Sequence, residues 1–503
     1  MPLLTLIIFL PLVGVLALYL VPRPAAWRGI AVATGGAVLL LSVVAAAGFD
    51  WGSGRLQWEE RVPWIPALGA SYHLGLDGLS LPLVLLTALL TSLGLVFSAY
   101  EPQRPREFFA LLLVMETGLL GVFSTLDLLL FYVFFEVALV PMYFIIGGWG
   151  HGRRLEAAMK FFLYTRLGSL AMLLGLLGLY LNTTPRTFDL PLILAARPFP
   201  GADLAATLVL LALFIGFAIK LPIIPFHSWL PDAHTAAPTT GSVILAGLLL
   251  KLGGYGFLRI VLPAVPGAFA AWAAPIAVLA VVSAIYGSVV ALAQTDLKRL
   301  VAWTSINHMS YVLLGVAVAA AVGVPADRIA AATGATYQLV AHGLITGALF
   351  FLVGMLEART GTREIGQLRG LWGALPGYGG LFVFMAFASL GLPALAGFAA
   401  EVQIVLGTLG MYPWAAAGMI LAILLTTALF LWTIQRILLG PPAPNAPVLA
   451  RLTRREWITI LPLVGLVLLL GLLPGPWVTL IENALRAAPL GVLGALGTLV
   501  GGR

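Results

Sequence analysis

The sequence predicts an all-α polytopic membrane protein with about fourteen transmembrane helices, two of which are broken. Of its 503 residues, 61% are apolar and 9% are Asp, Glu, Lys or Arg, whereas soluble globular domains have about 45–50% and about 25%. The apolar residues form long runs separated by short stretches rich in charge, proline or glycine. A membrane helix needs about 20 apolar residues. These runs therefore exclude a soluble fold and leave no room for a separate soluble catalytic domain.

The apolar runs, each bounded by charged or Pro/Gly-rich turns, define the elements in order. No basic stretch precedes the first run, which begins at Pro2, so we expect a retained helix and not a signal peptide. The predicted helices span residues 2–20, 27–49, 78–99, 107–124, 127–149, 157–181, 203–226, 238–262, 268–293, 298–321, 329–357, 377–410, 414–438 and 457–481. They form an N-terminal segment of helices 1–3 (1–106), a first repeat of helices 4–8 (107–262), a second repeat of helices 9–13 (268–438) and a C-terminal segment with helix 14 (457–503).

Basic residues are distributed unevenly between the two sets of loops. Sixteen lie at or beside loops that follow odd-numbered helices: Arg23, Arg28, Arg104, Arg106, Arg153, Arg154, Lys160, Lys298, Arg299, Arg359, Arg363, Arg369, Arg436, Arg451, Arg454 and Arg455. Eight lie on the other side: Arg55, Arg61, Arg186, Arg197, Arg259, Arg328, Arg486 and Arg503. Because loops rich in Lys and Arg stay in the cytoplasm, we expect both termini on the outer side. Loop charge of this kind indicates orientation and not nucleic-acid binding.

Two predicted helices are interrupted by proline next to polar or small residues. The seventh contains Pro222 and Pro225 just after Lys220, and the twelfth contains Pro393. Proline removes a backbone donor and clashes with the preceding turn, so both helices should be broken near the middle of the membrane. The two Leu-Pro sites are 171 residues apart. Broken helices at corresponding positions of two halves indicate a transporter built from two inverted five-helix repeats.

Several ionisable residues lie inside the predicted spans. They are Glu116, Glu136, Arg166, Lys220, Lys251, His308, His342 and Glu401. A charged residue at the centre of an isolated membrane helix costs about 2.5–3.5 kcal/mol on insertion scales, so such residues must pair, bind water or spend time neutral. The set Glu136, Lys220, Lys251 and Glu401 contains both acids and bases, which is what a buried polar axis that exchanges protons requires.

Most of these residues also have a purely structural interpretation. Glu136 and Lys220 form either a static ion pair that fixes helix packing or part of a proton path, and Glu401 is either a path residue or a solvated end group. His308 and His342 either relay protons or hydrogen-bond a neighbouring carbonyl. Metal binding is not expected, because neither histidine has a second metal-binding side chain at helical i, i+3 or i+4 spacing.

Other polar residues differ in how strongly the sequence favours a function. Lys251 lies mid-helix, where snorkelling to the surface is difficult, and this favours a functional role. Glu116 has no evident partner, and Arg166 is as consistent with a packing or interface charge as with a path. His227 and His234 lie near a helix end, which favours local hydrogen bonding. The chain has no cysteine, which excludes disulfides and cysteine-ligated clusters, so the chemistry we expect is proton movement.

Two runs in the middle of the chain resemble a known family. Residues 226–239 read Phe-His-Ser-Trp-Leu-Pro-Asp-Ala-His-Thr-Ala-Ala-Pro-Thr, and residues 243–259 read Val-Ile-Leu-Ala-Gly-Leu-Leu-Leu-Lys-Leu-Gly-Gly-Tyr-Gly-Phe-Leu-Arg. Both closely resemble the antiporter-like membrane subunits of respiratory complex I, and the runs around Glu136, His308 and His342 extend the resemblance over about residues 75–440. The histidine after Pro-Asp-Ala, the lysine of helix 8 and an end without a long lateral helix resemble the M-type subunit more than the L and N types.

The resemblance implies fourteen helices, two inverted five-helix repeats and a set of proton-transfer residues. The residues that it implies are Glu136, Lys220, Lys251, His308, His342 and Glu401. Lys251 would be the central relay, Glu401 the exit-side acid, and Glu136 would modulate the broken-helix Lys220. Two positions depart from the family pattern: Ala394 replaces the usual glycine after Pro393, and Arg166 occupies a site expected to be uncharged.

The implied activity is outward proton translocation by a non-redox subunit of an NADH:quinone oxidoreductase, driven by quinone reduction in other subunits. No cofactor or metal is expected in this chain; NADH, flavin, iron–sulfur clusters and quinone would belong to partner subunits. The expected partners are L-type and N-type neighbours, the hydrophilic arm and the lipid of a bacterial inner membrane. The alternatives are a cation/proton antiporter or membrane hydrogenase subunit of the same superfamily, and a passive structural membrane-arm subunit.

Overall fold

The computed structural model describes residues 2–98, 103–441 and 449–487. The longer helices are α1 (Leu3–Leu20), α2 (Pro24–Ala47), α3 (Leu81–Phe97), α4 (Pro105–Ser124), α5 (Leu128–Trp149), α6 (Arg154–Leu181), α7 (Leu190–Ala196), α8 (Leu204–Lys220), α9 (Trp229–Ala236), α10 (Thr239–Ala264), α11 (Pro266–Leu292), α12 (Leu297–Ala320), α13 (Pro325–Thr360), α14 (Pro376–Ser389), α15 (Ala396–Leu409), α16 (Pro413–Leu438), α17 (Arg454–Leu472) and α18 (Gly475–Arg486). Shorter helical turns occur at Pro66–Leu68, Ile365–Gln367 and Leu371–Ala374. The predicted end of helix 3 at residue 99 and the C-terminal residues 488–503, with Arg503, lie outside the described ranges.

The long apolar helices confirm the predicted fold class. Eleven of the described helices are long and apolar enough to cross a membrane, and α3, α8, α14 and α15 are shorter apolar helices. The protein is therefore an all-α polytopic membrane protein. The count of fourteen crossings, the inverted relation of the two repeats and the boundaries of the four segments remain predictions.

Two regions differ from the elements expected from sequence. A two-stranded antiparallel hairpin, β1 (Gln57–Ile65) and β2 (Ala70–Leu76), fills the connection between α2 and α3. The predicted last helix is divided into α17 and α18 around Pro474, because a proline disfavours helical geometry in the residue before it. The hairpin was missed because its mixed polar and aromatic residues show no clean alternation; strand pairing defines it.

Both predicted helix breaks are present. The first interrupts the chain between α8 and α9, and the second between α14 and α15. At the first break the Trp229 indole Nε1 donates to the Ile219 carbonyl at 3.0 Å, and the Ile224 N–H donates to Ser283 Oγ at 3.2 Å. Side chains thus satisfy backbone groups that proline leaves without helical partners, as a break within a membrane requires.

The helical bundle has two ends, which we name the hairpin end and the basic end. The hairpin end contains β1, β2 and the α4–α5 connection, joined where the Leu126 N–H donates to the His73 carbonyl at 2.8 Å. The basic end contains the connections after α5 and α9, joined where the His151 N–H donates to the Ala236 carbonyl at 2.8 Å. Basic residues at that end include Arg104, Arg153, Arg154, Lys160, Arg299, Arg359 and Arg363.

Three helices form the buried centre of the bundle. The most apolar windows of α10, α12 and α13 are fully buried, whereas those of α1, α2 and α16 are only about one-third buried. The outer helices expose leucine, valine and phenylalanine, as helix faces directed at lipid should. Lys251, His308 and His342 therefore lie on the three helices that are most shielded from lipid.

Candidate functional site

Lys251 lies at the centre of the bundle on α10 and contacts α13. Its Nζ lies 2.5 Å from the Ala246 carbonyl oxygen and 2.6 Å from His342 Nδ1. Residues Leu245–Leu249 form a π turn, a helix irregularity that is frequent at functional sites. Here the carbonyl five residues before Lys251 accepts a hydrogen bond from its side chain. Because an ammonium donates to an unprotonated imidazole nitrogen, the contact with His342 is a direct link for a proton.

His308, on α12, links His342 to the second broken helix. The two imidazole centroids are 5.6 Å apart. His308 Nε2 lies 3.0 Å from Ser389 Oγ, and its Nδ1 lies 3.4 Å from Glu401 Oε1. The cavity between these side chains offers about 10 Å³ to the centre of a water molecule, close to the minimum that one buried water needs. We call Lys251, His342, His308 and Glu401 the central chain.

Glu401 is buried beside the second break, with 4% of the residue exposed, so it is not a solvated end group. Gly391 has φ +76°, and a Cβ added there would lie 2.6 Å from Glu401 Oε2. Glycine is required at that position both by its backbone and by the carboxylate. Ala394 has φ +71°, a conformation that costs an L-residue about 1–2 kcal/mol. The helix is thus broken even with alanine in place of the glycine usual in the family.

Lys220 ends α8 and lies buried at the first break. Its Nζ lies 5.2 Å from the ring centroid of Phe135 and 5.6 Å from that of Phe161. It forms no hydrogen bond with any residue that the structure describes. Aromatic faces attract a cation, but they do not accept its proton. Glu136 is close enough to act on Lys220 electrostatically.

Glu136 pairs with Arg166, and a static Glu136–Lys220 ion pair is not formed among the described residues. Glu136 Oε2 binds Arg166 Nη1, while its Oε1 has no hydrogen-bond partner in the described ranges. The Arg166 side chain is 41% exposed on a face of α6 that also exposes Leu163 and Leu167. Arg166, whose charge departs from the family pattern, is therefore the partner of a predicted site residue.

The structure brings the six predicted site residues together as two groups. One contains Glu136 and Lys220, and the other is the central chain. The ammonium group of Lys220 faces α5 and α6, whereas that of Lys251 faces α13. Between the two lysines α8 packs tightly on α10: a Cβ added at Gly253 would lie 2.6 Å from the Phe217 carbonyl oxygen. Transfer between the two groups therefore requires water or a side-chain movement.

Three other polar residues lie outside both groups. Glu116, on α4, is fully buried, and neither carboxylate oxygen has a hydrogen-bond partner in the described part of the chain. The prediction of a local hydrogen-bonding role is wrong for His234: its ring stacks on Phe350 at 4.6 Å, and neither ring nitrogen has a partner among described residues. The ring of His227 packs on Trp303 at 5.4 Å. Within the described ranges, no cluster of three His, Asp or Glu side chains could hold a metal ion.

Sequence reasoning missed two polar neighbours of His308. Ser389 contacts its Nε2, and Gln338 Nε2 lies 3.5 Å from its Nδ1. Gln338 precedes His342 by four residues, a spacing that places both on one helix face. Ser389 ends the helix before Pro393, so a polar residue beside a predicted break was the available signal.

An open cavity leads into the bundle from the basic end. It offers about 480 Å³ to water, and its lining includes Gln103, Trp149, His151, Arg154, Thr239 and Glu357. Burial, with the charges of Lys298 and Arg363, lowers the pKa of His151 despite the opposing effect of Glu357. His151 is therefore neutral at pH 7. Because Thr239 begins α10, the cavity opens at the foot of the helix that carries Lys251.

Replacing Gly391 with alanine should displace the Glu401 carboxylate and weaken its contact with His308. The added Cβ would lie 2.6 Å from Glu401 Oε2. Gly361→Ala is the matched control, because Gly361 also has positive φ (+68°) but has no heavy atom within 4 Å of an added Cβ. Both variants carry the backbone cost of about 1–2 kcal/mol. Only Gly391→Ala should lower proton translocation; equal activities in the two variants would contradict the assigned contact.

A helical membrane bundle with two broken helices and buried ionisable groups at its centre defines a class of ion-transporting membrane proteins. Residues 125–427 match the family model described as NADH:quinone oxidoreductase/Mrp antiporter, transmembrane. The chain belongs to this family.

The similarity extends over nearly the whole chain. NADH-quinone oxidoreductase subunit M of Rhodobacter capsulatus is 39% identical over 515 aligned residues, covering 99% of this chain and 98% of that protein. F(420)H(2) dehydrogenase subunit M of Methanosarcina mazei is 37% identical, covering 96% and 97%. A chain in the structure of respiratory complex I from Thermus thermophilus with bound NADH superposes with a TM-score of 0.86 at 34% identity, covering 96% and 98%.

Proposed function

We propose that this chain is a proton-translocating subunit in the membrane arm of an NADH:quinone oxidoreductase. The observation that carries the proposal is the central chain, in which Lys251 contacts His342 and His308 lies between His342 and Glu401. Each of its four side chains can gain and lose a proton. All four are at most 4% exposed, so the central chain is shielded from lipid along its length.

The direction of transfer runs from the basic end through the bundle to Glu401. Protons reach α10 from the basic-end cavity, and His234 lies close enough to Lys251 to act on it electrostatically. From Lys251 they pass through His342 and His308 to Glu401, whose helix α15 continues to the hairpin end. By the positive-inside rule the basic end faces the cytoplasm of a bacterial cell, with the hairpin end and both termini outside its inner membrane.

The Glu136–Lys220 group couples the central chain to events in neighbouring subunits. A change arriving at Glu136 alters the field on Lys220, and Lys220 then exchanges a proton with Lys251 through water. Moving one charge through 150 mV costs about 3.5 kcal/mol, which corresponds to a change of two to three pKa units at about 1.36 kcal/mol each. Moving the Glu136 carboxylate between the partly exposed Arg166 and the buried Lys220 changes the electrostatic energy of Lys220 by an amount of that order.

Redox chemistry belongs to partner subunits, because the chain has no cysteine for an iron–sulfur cluster. NADH, flavin, iron–sulfur clusters and quinone would be held there, and this chain acts as a non-redox component. The Glu136–Arg166 pair is partly exposed on the outside of the bundle, among leucines. An ion pair is costly against lipid, so an L-type or N-type neighbour covers this face.

Three alternatives are distinct from this proposal. The family model also describes Mrp antiporters, so a cation/proton antiporter or membrane hydrogenase subunit would share the broken-helix lysine. The relative from Methanosarcina mazei is a subunit of an enzyme named for F(420)H(2), so another electron donor is also compatible with this chain. A passive scaffold is the alternative of a different class.

Lys220→Ala in the assembled complex tests translocation against the scaffold role. We expect the number of protons moved per electron to fall about tenfold, which is less than the factor of about 10²–10⁴ for a positioned proton-transfer group, because Lys220 acts on the central chain from outside it. Electron transfer is measured spectrophotometrically and proton uptake with a pH-sensitive dye in liposomes. Truncating this buried side chain leaves a cavity and lowers stability to some extent, so the readout that identifies translocation is protons per electron in the complex that assembles.

Glu456→Ala is the matched control for a structural ion pair. Glu456 is buried and accepts from Arg359 at 2.6 Å, tying α17 to α13. Breaking such a buried pair costs about 3–5 kcal/mol, so thermal stability should fall while protons per electron stay normal. If Lys220→Ala behaves in the same way as this control, the chain is a scaffold and the proposal fails.

A further inference from the structure

A column of polar residues continues from Lys251 toward the hairpin end. Tyr255 and Arg259 follow Lys251 at spacings of four and eight residues, which places the three on one face of α10. Eight residues of helix span about 12 Å. The column extends from the central lysine toward the hairpin end, and it does not include His342, His308 or Glu401.

The column ends in a closed set of hydrogen bonds. Arg259 Nη2 donates to Asp77 Oδ1 at 2.5 Å, and Arg259 Nε donates to Tyr255 Oη at 3.1 Å. Tyr255 Oη in turn donates to the Phe123 carbonyl at 3.2 Å. Asp77 precedes α3 at the hairpin end, and its carboxylate also accepts from the backbone of Leu79. The side chains of the ion pair are each 2% exposed.

None of these groups is suited to passing a proton. Arg259 stays protonated in proteins, and the single hydroxyl proton of Tyr255 is donated to a carbonyl. Although burial opposes ionisation, Arg259 and backbone donors hold the pKa of Asp77 below its ordinary value. Along this face of α10, a cation moving from Lys251 toward the hairpin end would pass Tyr255 and then approach the guanidinium of Arg259, which is paired with Asp77.

One feature of Arg259 distinguishes it from an ordinary structural ion pair. Its Nη1 is buried and has no hydrogen-bond partner among the described residues, so the guanidinium is only partly compensated. A fixed positive charge in a narrow path is a known physical means of excluding protons and other cations. The π turn at Phe257–Val261 contains Arg259 and lies immediately past Tyr255.

We propose that Arg259, positioned by Asp77, is an electrostatic seal that prevents protons on Lys251 from passing directly to the hairpin end. This inference rests on the proposed function and deepens it, because the seal makes the lateral route through His342 the productive one. The carboxylate of Asp77 orients the guanidinium, and the guanidinium supplies the barrier. The two residues of the pair therefore have different roles.

The test compares Arg259→Gln with Asp77→Asn in the whole complex reconstituted into liposomes. A potassium gradient with valinomycin sets the membrane potential, no electron donor is added, and an internal pH-sensitive dye reports proton leak. We expect Arg259→Gln to leak about tenfold faster than the unmodified complex, because the barrier depends on one nearby charge. Asp77→Asn keeps the positive charge and should remain tight, although its thermal stability falls. Arg259→Lys should also remain tight.

The double variant Asp77→Asn/Arg259→Gln keeps the test open if either single variant fails to assemble. The double variant leaves no unpaired buried charge, and it should leak protons if Arg259 is the seal. A leak that disappears when Lys251→Met is added would place Lys251 on the leak path. A tight Arg259→Gln or double variant overturns the seal, as does an equal leak in Asp77→Asn. The Lys220→Ala measurement is independent, so a failed seal leaves the proposed function standing.

Discussion

Lys251→Met should reduce proton translocation about a hundredfold, the lower end of the range of about 10²–10⁴ for a positioned proton-transfer group. Lys251 contacts His342 at 2.6 Å. It is the member of the central chain that lies on α10, the helix whose first residue, Thr239, lines the cavity at the basic end. Methionine has a similar length but cannot carry a proton. Replacing a buried charge by an apolar side chain of similar volume is often neutral or stabilising. Assembly and thermal stability should therefore be retained, so the loss is specific to transfer.

Lys160→Met is the matched control for Lys251→Met. Lys160 pairs with Asp232 at 2.7 Å at the basic end, and both side chains are about one-third exposed. Exposed ion pairs contribute about 0–1 kcal/mol, so protons per electron should not change. Normal translocation by Lys251→Met would contradict the assignment of the central chain, whatever the behaviour of Lys160→Met.

Arg166→Met should have an effect as large as that of Lys220→Ala, because it frees Glu136 to pair with Lys220. In the structure Glu136 Oε2 is held by Arg166, and Lys220 has no hydrogen-bond partner in the described ranges. Without the guanidinium of Arg166, the ammonium group of Lys220 is the positive charge that remains near the Glu136 carboxylate. A direct ion pair would hold Lys220 and its proton in place. Protons per electron should then fall about tenfold, as for Lys220→Ala and less than for loss of a proton-transfer group of the central chain.

A double-mutant cycle separates this effect from loss of packing. Residues that act through one interaction are non-additive, so Glu136→Gln/Arg166→Met should translocate no worse than Glu136→Gln alone. Arg166→Lys keeps the positive charge and should recover part of the activity. If the effects of Arg166→Met and Glu136→Gln simply add, Arg166 does not act through Glu136.

The first of the two broken helices shows which features of the fold can be predicted from local sequence. Pro222 and Pro225 follow Lys220 closely, and this pair of prolines beside a polar residue disfavours a continuous helix. A single proline is not sufficient, since Pro11, Pro141 and Pro275 lie inside continuous helices. The same combination of proline with small residues marks the second break, at Pro393. These are properties of a residue and its neighbours in the chain, and they are readable without a fold.

Local sequence could not predict which buried charged residues pair with one another. The sequence allowed Glu136 to pair with Lys220, and the structure pairs it with Arg166, 30 residues further along the chain. Asp77 and Arg259 are separated by 182 residues, and neither has a local signal that names the other. Which charges meet depends on the azimuth of each helix in the bundle, and that is set by packing among several helices at once.

The sequence by itself determined that this is a membrane protein, where its helices break, and which ionisable residues its interior must accommodate, because hydrophobicity and proline act locally. Only the tertiary structure decided that Lys251, His342, His308 and Glu401 form one chain while Lys220 stands apart from it. The physical reason is that hydrogen bonds and ion pairs require side chains to converge within about 3–4 Å. Convergence at that scale is a result of how whole helices pack.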